Sequence, residues 1–150
     1  AFGAAVEAPQ FGMEGTITTF TTPSITTHQE GSVVENSGIK YVTNKNIKVT
    51  ITDNTSGETK VLSEGGNAEG NVAVYKLSQE RTEADLQLAS VSTEEIKSAN
   101  SKGVTLATDK KSFTFTPDEE GYYAIQYLTT AAAEGKPAAY TYKVVYVAAN

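Results

Sequence analysis

The 150-residue sequence contains no cysteine and no tryptophan, one histidine and one arginine. Without cysteine it can form no disulfide, no thiolate metal site and no cysteine nucleophile. One histidine is too few for an imidazole metal centre. That residue, His28, lies in Thr26-Thr27-His28-Gln29-Glu30. No Gly-x-Ser-x-Gly elbow accompanies it, so it reads as an exposed polar residue near a turn, and no catalytic residue is assigned. No apolar run approaches the roughly 20 residues that span a bilayer as a helix. The 12 Lys and Arg are scattered against 18 Asp and Glu, a net charge of -6. No basic stripe is present to follow a phosphate backbone, so nucleic acid is not an expected partner. Gly65-Gly66-Asn67-Ala68-Glu69-Gly70 is not followed by Lys-Ser/Thr and reads as a loop rather than a phosphate cradle.

Much of what remains is threonine and β-branched residues in short runs, punctuated by Gly, Asn, Asp and Pro, the pattern of many strands joined by turns. In Asn46 to Asp53, Ile47, Val49 and Ile51 alternate with Lys48, Thr50 and Thr52. The run ends in Asp53-Asn54-Thr55-Ser56-Gly57, a strong turn signal, and 59–63 is expected to return as a hairpin partner. Further strands are predicted over 71–77, 111–116, 121–129 and 140–147. Weaker signals cover 15–22, 32–35, 39–43 and 104–108, and 86–91 reads as strand or irregular. A short helix is predicted over 93–99, opened by a Ser92/Glu95 capping box and stopped by Asn100 to Gly103. With no long helices to carry crossovers, these strands imply an all-β fold, an antiparallel two-sheet sandwich.

One stretch carries a resemblance. In Pro117-Asp118-Glu119-Glu120-Gly121-Tyr122-Tyr123-Ala124-Ile125, residues Glu119, Gly121, Tyr123 and Ile125 resemble the corner leading into strand F of immunoglobulin-like domains, with Ile125 where antibody domains carry Cys. Phe113 to Pro117 resembles strand E, and Tyr140 to Val147 strand G. The resemblance covers roughly the last 40 residues and is shared by prokaryotic surface and fibre (pilin-like) sandwiches. It implies an immunoglobulin-like topology in which the Tyr123 hydroxyl bonds backbone upstream.

Asp53 to Glu58 has oxygen ligands at alternating positions, and Asp118-Glu119-Glu120 is an acidic run. Either offers a weak Ca2+ candidate; a hairpin turn is the preferred reading of the first, and no cofactor or metal is assigned. Asn54-Thr55-Ser56 is an N-glycosylation sequon on an exposed turn.

The first twelve residues, A-F-G-A-A-V-E-A-P-Q-F-G, place Phe2, Ala4, Val6 and Ala8 on one face of an alternating segment. Residues 1–14 are accordingly read as an extension and candidate donor strand, and 15–150 as the sandwich domain. An apolar alternating segment needs a sheet edge, either in its own molecule or in a neighbouring copy; the second arrangement is strand addition, which repeats into a filament. The expectation is a structural subunit of an extracellular filament or surface layer, a non-covalent homopolymer. The alternative is a monomeric surface adhesin or carbohydrate-binding module, suggested by Tyr122, Tyr123, Tyr127, Tyr140, Tyr142 and Tyr146. The absence of an initiator Met before Ala1 fits an exported, processed chain.

Overall fold

Among the described residues, ten strands and two short helices follow one another. They are β1 (Ser24–Gln29), β2 (Val33–Glu35), β3 (Gly38–Val42), β4 (Ile47–Thr52), β5 (Val72–Lys76), α1 (Glu83–Leu86), α2 (Ala89–Glu95), β6 (Ser101–Lys102), β7 (Thr105–Leu106), β8 (Phe113–Phe115), β9 (Gly121–Thr130) and β10 (Ala139–Ala148). The computed structural model describes residues 23–30, 32–35, 38–63 and 66–150. The strands form two sheets, one ordered β1-β4-β8-β7 and the other β2-β3-β10-β9-β5-β6. The chain is an all-β two-sheet sandwich.

Alternation builds the core. Ile47, Val49 and Ile51 of β4 and Phe113 and Phe115 of β8 are buried, while Lys48 points to solvent. They meet Val72, Val74, Tyr123, Ile125, Tyr127, Val145 and Val147 from the other sheet in one cluster. Nine of these side chains, from Ile47 through Tyr123 to Val147, are 0 to 1% exposed; burial at that level contributes roughly 1.5–3 kcal/mol for each large apolar side chain.

Three expectations are corrected. The first concerns strand direction: β3 lies parallel to β10, pairing Tyr41 with Val147 and Val42 with Ala148. Nearly the whole domain separates these strands in sequence, so no tight turn forces them antiparallel. Second, residues 59–63 do not form a strand. Thr59 makes a single bridge to Thr52, and the chain then leaves the sheet so that Leu62, 2% exposed, can plug the core.

Third, the helical segment begins earlier and is split. The capping box forms at Thr82, whose hydroxyl accepts from the Asp85 amide while the Asp85 carboxylate accepts from the Thr82 amide. Ser92 sits inside α2, where no N-cap role is open to it, and the segment 86–91, read as strand or irregular, holds the end of α1, a break at Gln87 and Leu88, and the start of α2. The reason is tertiary: Leu86, Val91 and Ile96 cover a second apolar patch of Leu77, Ala124 and Tyr142 on the outer face of the larger sheet. His28 lies within β1, on its exposed face opposite Lys48, two residues before the turn at Glu30, so the reading of an exposed polar residue near a turn stands. The weaker strand over 15–22 lies outside the described residues.

Candidate functional site

Strand β10 is ten residues long, and β9 pairs with it along its length, from Ala139↔Thr130 to Val147↔Gly121. On its other side, β3 covers only Val147 and Ala148. Among the described residues, no strand pairs with Ala139 to Tyr146 on that side. This is an open edge of roughly 27 Å at ~3.4 Å per residue.

Two side chains from the helical segment reach that edge. Glu83 accepts from the Val144 amide at 2.8 Å, and Gln87 donates to the Tyr140 carbonyl at 2.8 Å. Glu83 and Gln87 are one helical turn apart, so they face the same way and meet strand groups of the same parity. Backbone groups alternate sides along a strand, so the amide and carbonyl of Tyr142 point to the same edge between the two contacts. Glu83 and Gln87 therefore cap β10 at two points and leave its middle open. Capping of an exposed edge is how sheets avoid unwanted pairing.

The edge borders a seam between the two sheets. Strand β1 is the outer strand of the smaller sheet. At one end of the seam the sheets are stitched by polar contacts. Thr27 hydrogen-bonds the Tyr41 hydroxyl, and the Gln29 amide group donates to the carbonyls of Val42 (2.9 Å) and Lys45 (3.1 Å) while accepting from the Val42 amide (2.9 Å). Further along lie Ile25 on β1 and Val145 on β10, which at 8% and 5% are, with Val72 at 7%, the least covered members of the main core. An added extended segment would find backbone partners on β10 between the two capped points.

The sequence-derived residues distribute as follows. Phe2, Ala4, Val6 and Ala8 lie outside the described residues. The Tyr123 hydroxyl donates to the Glu119 carbonyl at 2.6 Å and accepts from the Glu119 amide at 3.3 Å. Its ring packs 6.0 Å from that of Phe115, and burial pushes the hydroxyl pKa upward. Gly121 opens β9 at φ +131°, where a side chain would be strained and its Cβ would fall 2.7 Å from the Lys76 ammonium. Ile125 is fully buried. The Asp53 carboxylate accepts from the amides of Thr55 and Ser56, which hold its pKa below the ordinary value; the loop is a turn closed by its own Asp. Asn54 is exposed, and its side-chain oxygen accepts from Ser24 at 2.7 Å. In the acidic run, Asp118 and Glu119 both pair with Lys102, at 3.3 and 3.5 Å. Among the described residues, no three His, Asp or Glu side chains gather as a metal-binding group.

The tyrosines divide by strand parity. Tyr123 and Tyr127 fill the main core, whereas Tyr122, Tyr140 and Tyr142 pack on the outer face. Tyr146, 49% exposed, stacks on Tyr122 at 4.9 Å.

Sequence reading missed a buried ion pair. Glu95 is fully buried, and its carboxylate accepts from Arg81 Nε (2.7 Å), the Ser78 hydroxyl (2.8 Å) and the Ser78 amide (3.0 Å). Burial alone would raise the Glu95 pKa, but the Arg81 and Ser78 donors together outweigh it and hold it below the ordinary value. The single arginine was the signal that could have found it, since arginine suits buried, fork-shaped recognition of carboxylates. The pair fixes α2 to the end of β5 and is a structural tie. No protein-family model, no curated protein and no solved structure matches the chain.

Proposed function

We propose that this chain is a structural subunit of an extracellular filament or surface layer, built on an immunoglobulin-like sandwich and assembled when the N-terminal segment of one copy adds to the open edge of β10 in the next. The observation that carries the reading is that, among the described residues, no strand pairs with Ala139 to Tyr146 on the side away from β9, where Glu83 and Gln87 cap the backbone at Val144 and Tyr140 and leave Tyr142 between them. A strand with Phe2, Ala4, Val6 and Ala8 on one face has the length and the periodicity to pair there. Main-chain hydrogen bonds supply affinity, and the alternation of the added strand sets the register. The contact is head to tail, so it propagates.

Strand order supports the immunoglobulin-like part of the reading. Such domains arrange their strands as A-B-E-D and G-F-C, with C′ beside C in the variable type. Here β1-β4-β8-β7 takes the positions A-B-E-D and β10-β9-β5-β6 the positions G-F-C-C′, in the same chain order. The β2–β3 hairpin is inserted between A and B. The Tyr123 corner stands at the entry to the strand in position F.

Deletion of residues 1–11 is expected to abolish filaments by electron microscopy and leave a folded monomer by sedimentation. Adding a peptide of residues 1–12 to that monomer should slow hydrogen exchange at the Tyr142 amide at least tenfold. Filaments that persist after the deletion, or unchanged exchange at β10 on adding the peptide, would overturn the proposal.

A further inference from the structure

The outer face of the larger sheet carries a second feature, separate from the β10 edge in its chemistry. A groove of about 640 Å³ runs between α2 and the sheet, bounded at one end by Pro137 and Ala138. Its size falls within the range of small-molecule sites. Tyr75, Gln126, Tyr140 and Tyr142 form its sheet side, and Ser92 and Thr93 stand on α2. None of its twelve lining residues is Asp, Glu, Lys or Arg, although such residues make up 20% of the chain. An ionic ligand would find no counter-charge here.

Two of the polar groups it holds stand side by side on neighbouring strands, under the helical segment. Gln126 and Tyr142 are directly opposed on β9 and β10, each 8% exposed. Gln126 Nε2 donates to the Tyr142 hydroxyl at 2.9 Å. That bond leaves the Gln126 carbonyl oxygen and the Tyr142 phenolic proton without a partner among the described residues. Buried amides and phenols are almost always fully bonded, and an open acceptor beside an open donor calls for a group that is both. A hydroxyl is such a group. Burial raises the pKa of both Tyr75 and Tyr142, so both phenols stay protonated and able to donate across the physiological range. The Tyr140 and Tyr142 rings, 6.1 Å apart and tilted by 37°, offer apolar surface beside the polar pair.

We infer that this groove binds an uncharged saccharide of one or two pyranose rings. One ring hydroxyl would donate to the Gln126 carbonyl and accept from the Tyr142 phenol. The C–H face of the sugar would lie on tyrosine, and hydroxyls on the far side would reach Ser92 and Thr93. The inference does not rest on strand addition, because the groove is complete within one copy.

The test is saturation-transfer NMR observed on the sugar, which reads binding to monomer and filament alike. The full chain is mixed in turn with glucose, galactose, mannose, N-acetylglucosamine and their β-linked disaccharides, with sialic acid and a sulfated disaccharide as charged controls. Transfer to at least one neutral sugar is expected, with a Kd of about 1 mM or tighter, and Gln126→Leu, close to isosteric, is expected to weaken it at least tenfold. Tyr140→Ala, at a half-buried position, should do the same by removing the apolar platform. Circular dichroism confirms that each variant is folded, and a variant that is not is replaced by Ser92→Ala with Thr93→Ala, outside the sheet. Absence of transfer from every neutral sugar, undiminished transfer in the folded variants, or preference for the charged controls would overturn the inference.

Discussion

The two faces of β9 are made of the same strand and solve opposite problems. On the inner face, Tyr123, Ile125 and Tyr127 enter an apolar cluster drawn from both sheets. On the outer face, Ala124 and Gln126 lie under two short helices held down by few apolar contacts and one buried ion pair. The first layer is stabilised by area removed from water, the second by polar geometry. Strand alternation alone produces the inner layer. The outer layer is tied down where Arg81 and Ser78, before the helices, meet Glu95, the last residue of α2.

This contrast can be broken from either side. The largest effect is expected in the inner layer. Phe113→Ala, at a fully buried site between the sheets, should lower the unfolding free energy by about 4 kcal/mol in urea titration, through lost transfer energy and a residual cavity. The loss should appear in exchange protection across both sheets.

Next in size is the ion pair. Glu95→Ala leaves Ser78 and Arg81 without their acceptor and should destabilise by about 3 kcal/mol. Exchange should quicken first in α1 and α2 while β4 and β8 stay protected; equal quickening in both layers would show that they unfold as one unit. The same pair gives a pH dependence. The folded pKa of Glu95 lies below the ordinary glutamate value of 4.5, so its contribution is complete above that value and is lost as pH falls through the lowered pKa. Acid titration followed by near-ultraviolet circular dichroism of the outer-face tyrosines should show a step below pH 4.5 that is absent in Glu95→Gln.

The smallest effect sharpens the comparison at the corner. Tyr123→Phe keeps the ring and removes the hydroxyl bond to the Glu119 carbonyl. A loss of about 1 kcal/mol is expected in thermal unfolding, with the exchange pattern of both layers unchanged.

The long strands were legible because they alternate cleanly: residues 46–53, 71–77, 121–129 and 140–147 contain or nearly contain β4, β5, β9 and β10. Strand β1 was not. Its inward positions are Ile25, Thr27 and Gln29, and two polar residues facing the core erase the periodic signal. They are buried because Tyr41, Val42 and Lys45, some 13 to 16 residues away, satisfy them. The helices were only half legible. Ser92 and Glu95 have the right types and spacing for a capping box, yet Glu95 is taken by Arg81 instead. The alternation of Phe2, Ala4, Val6 and Ala8 was legible, whereas a strand edge was not. An open strand has the same sequence as a covered one, and only strand order shows that, among the described residues, β3 covers just Val147 and Ala148 on the far side of β10.

By itself, then, the sequence determined the class of fold, the longest strands and the absence of thiol chemistry. Those follow from local alternation and from which atoms the chain possesses. The tertiary structure decided where polar groups are buried and where they are left open: the Glu95 tie, the unpaired side of β10, and the Gln126–Tyr142 pair under α2. Each depends on residues far apart in the chain meeting in space, and on whether a distant partner arrives to complete a hydrogen bond.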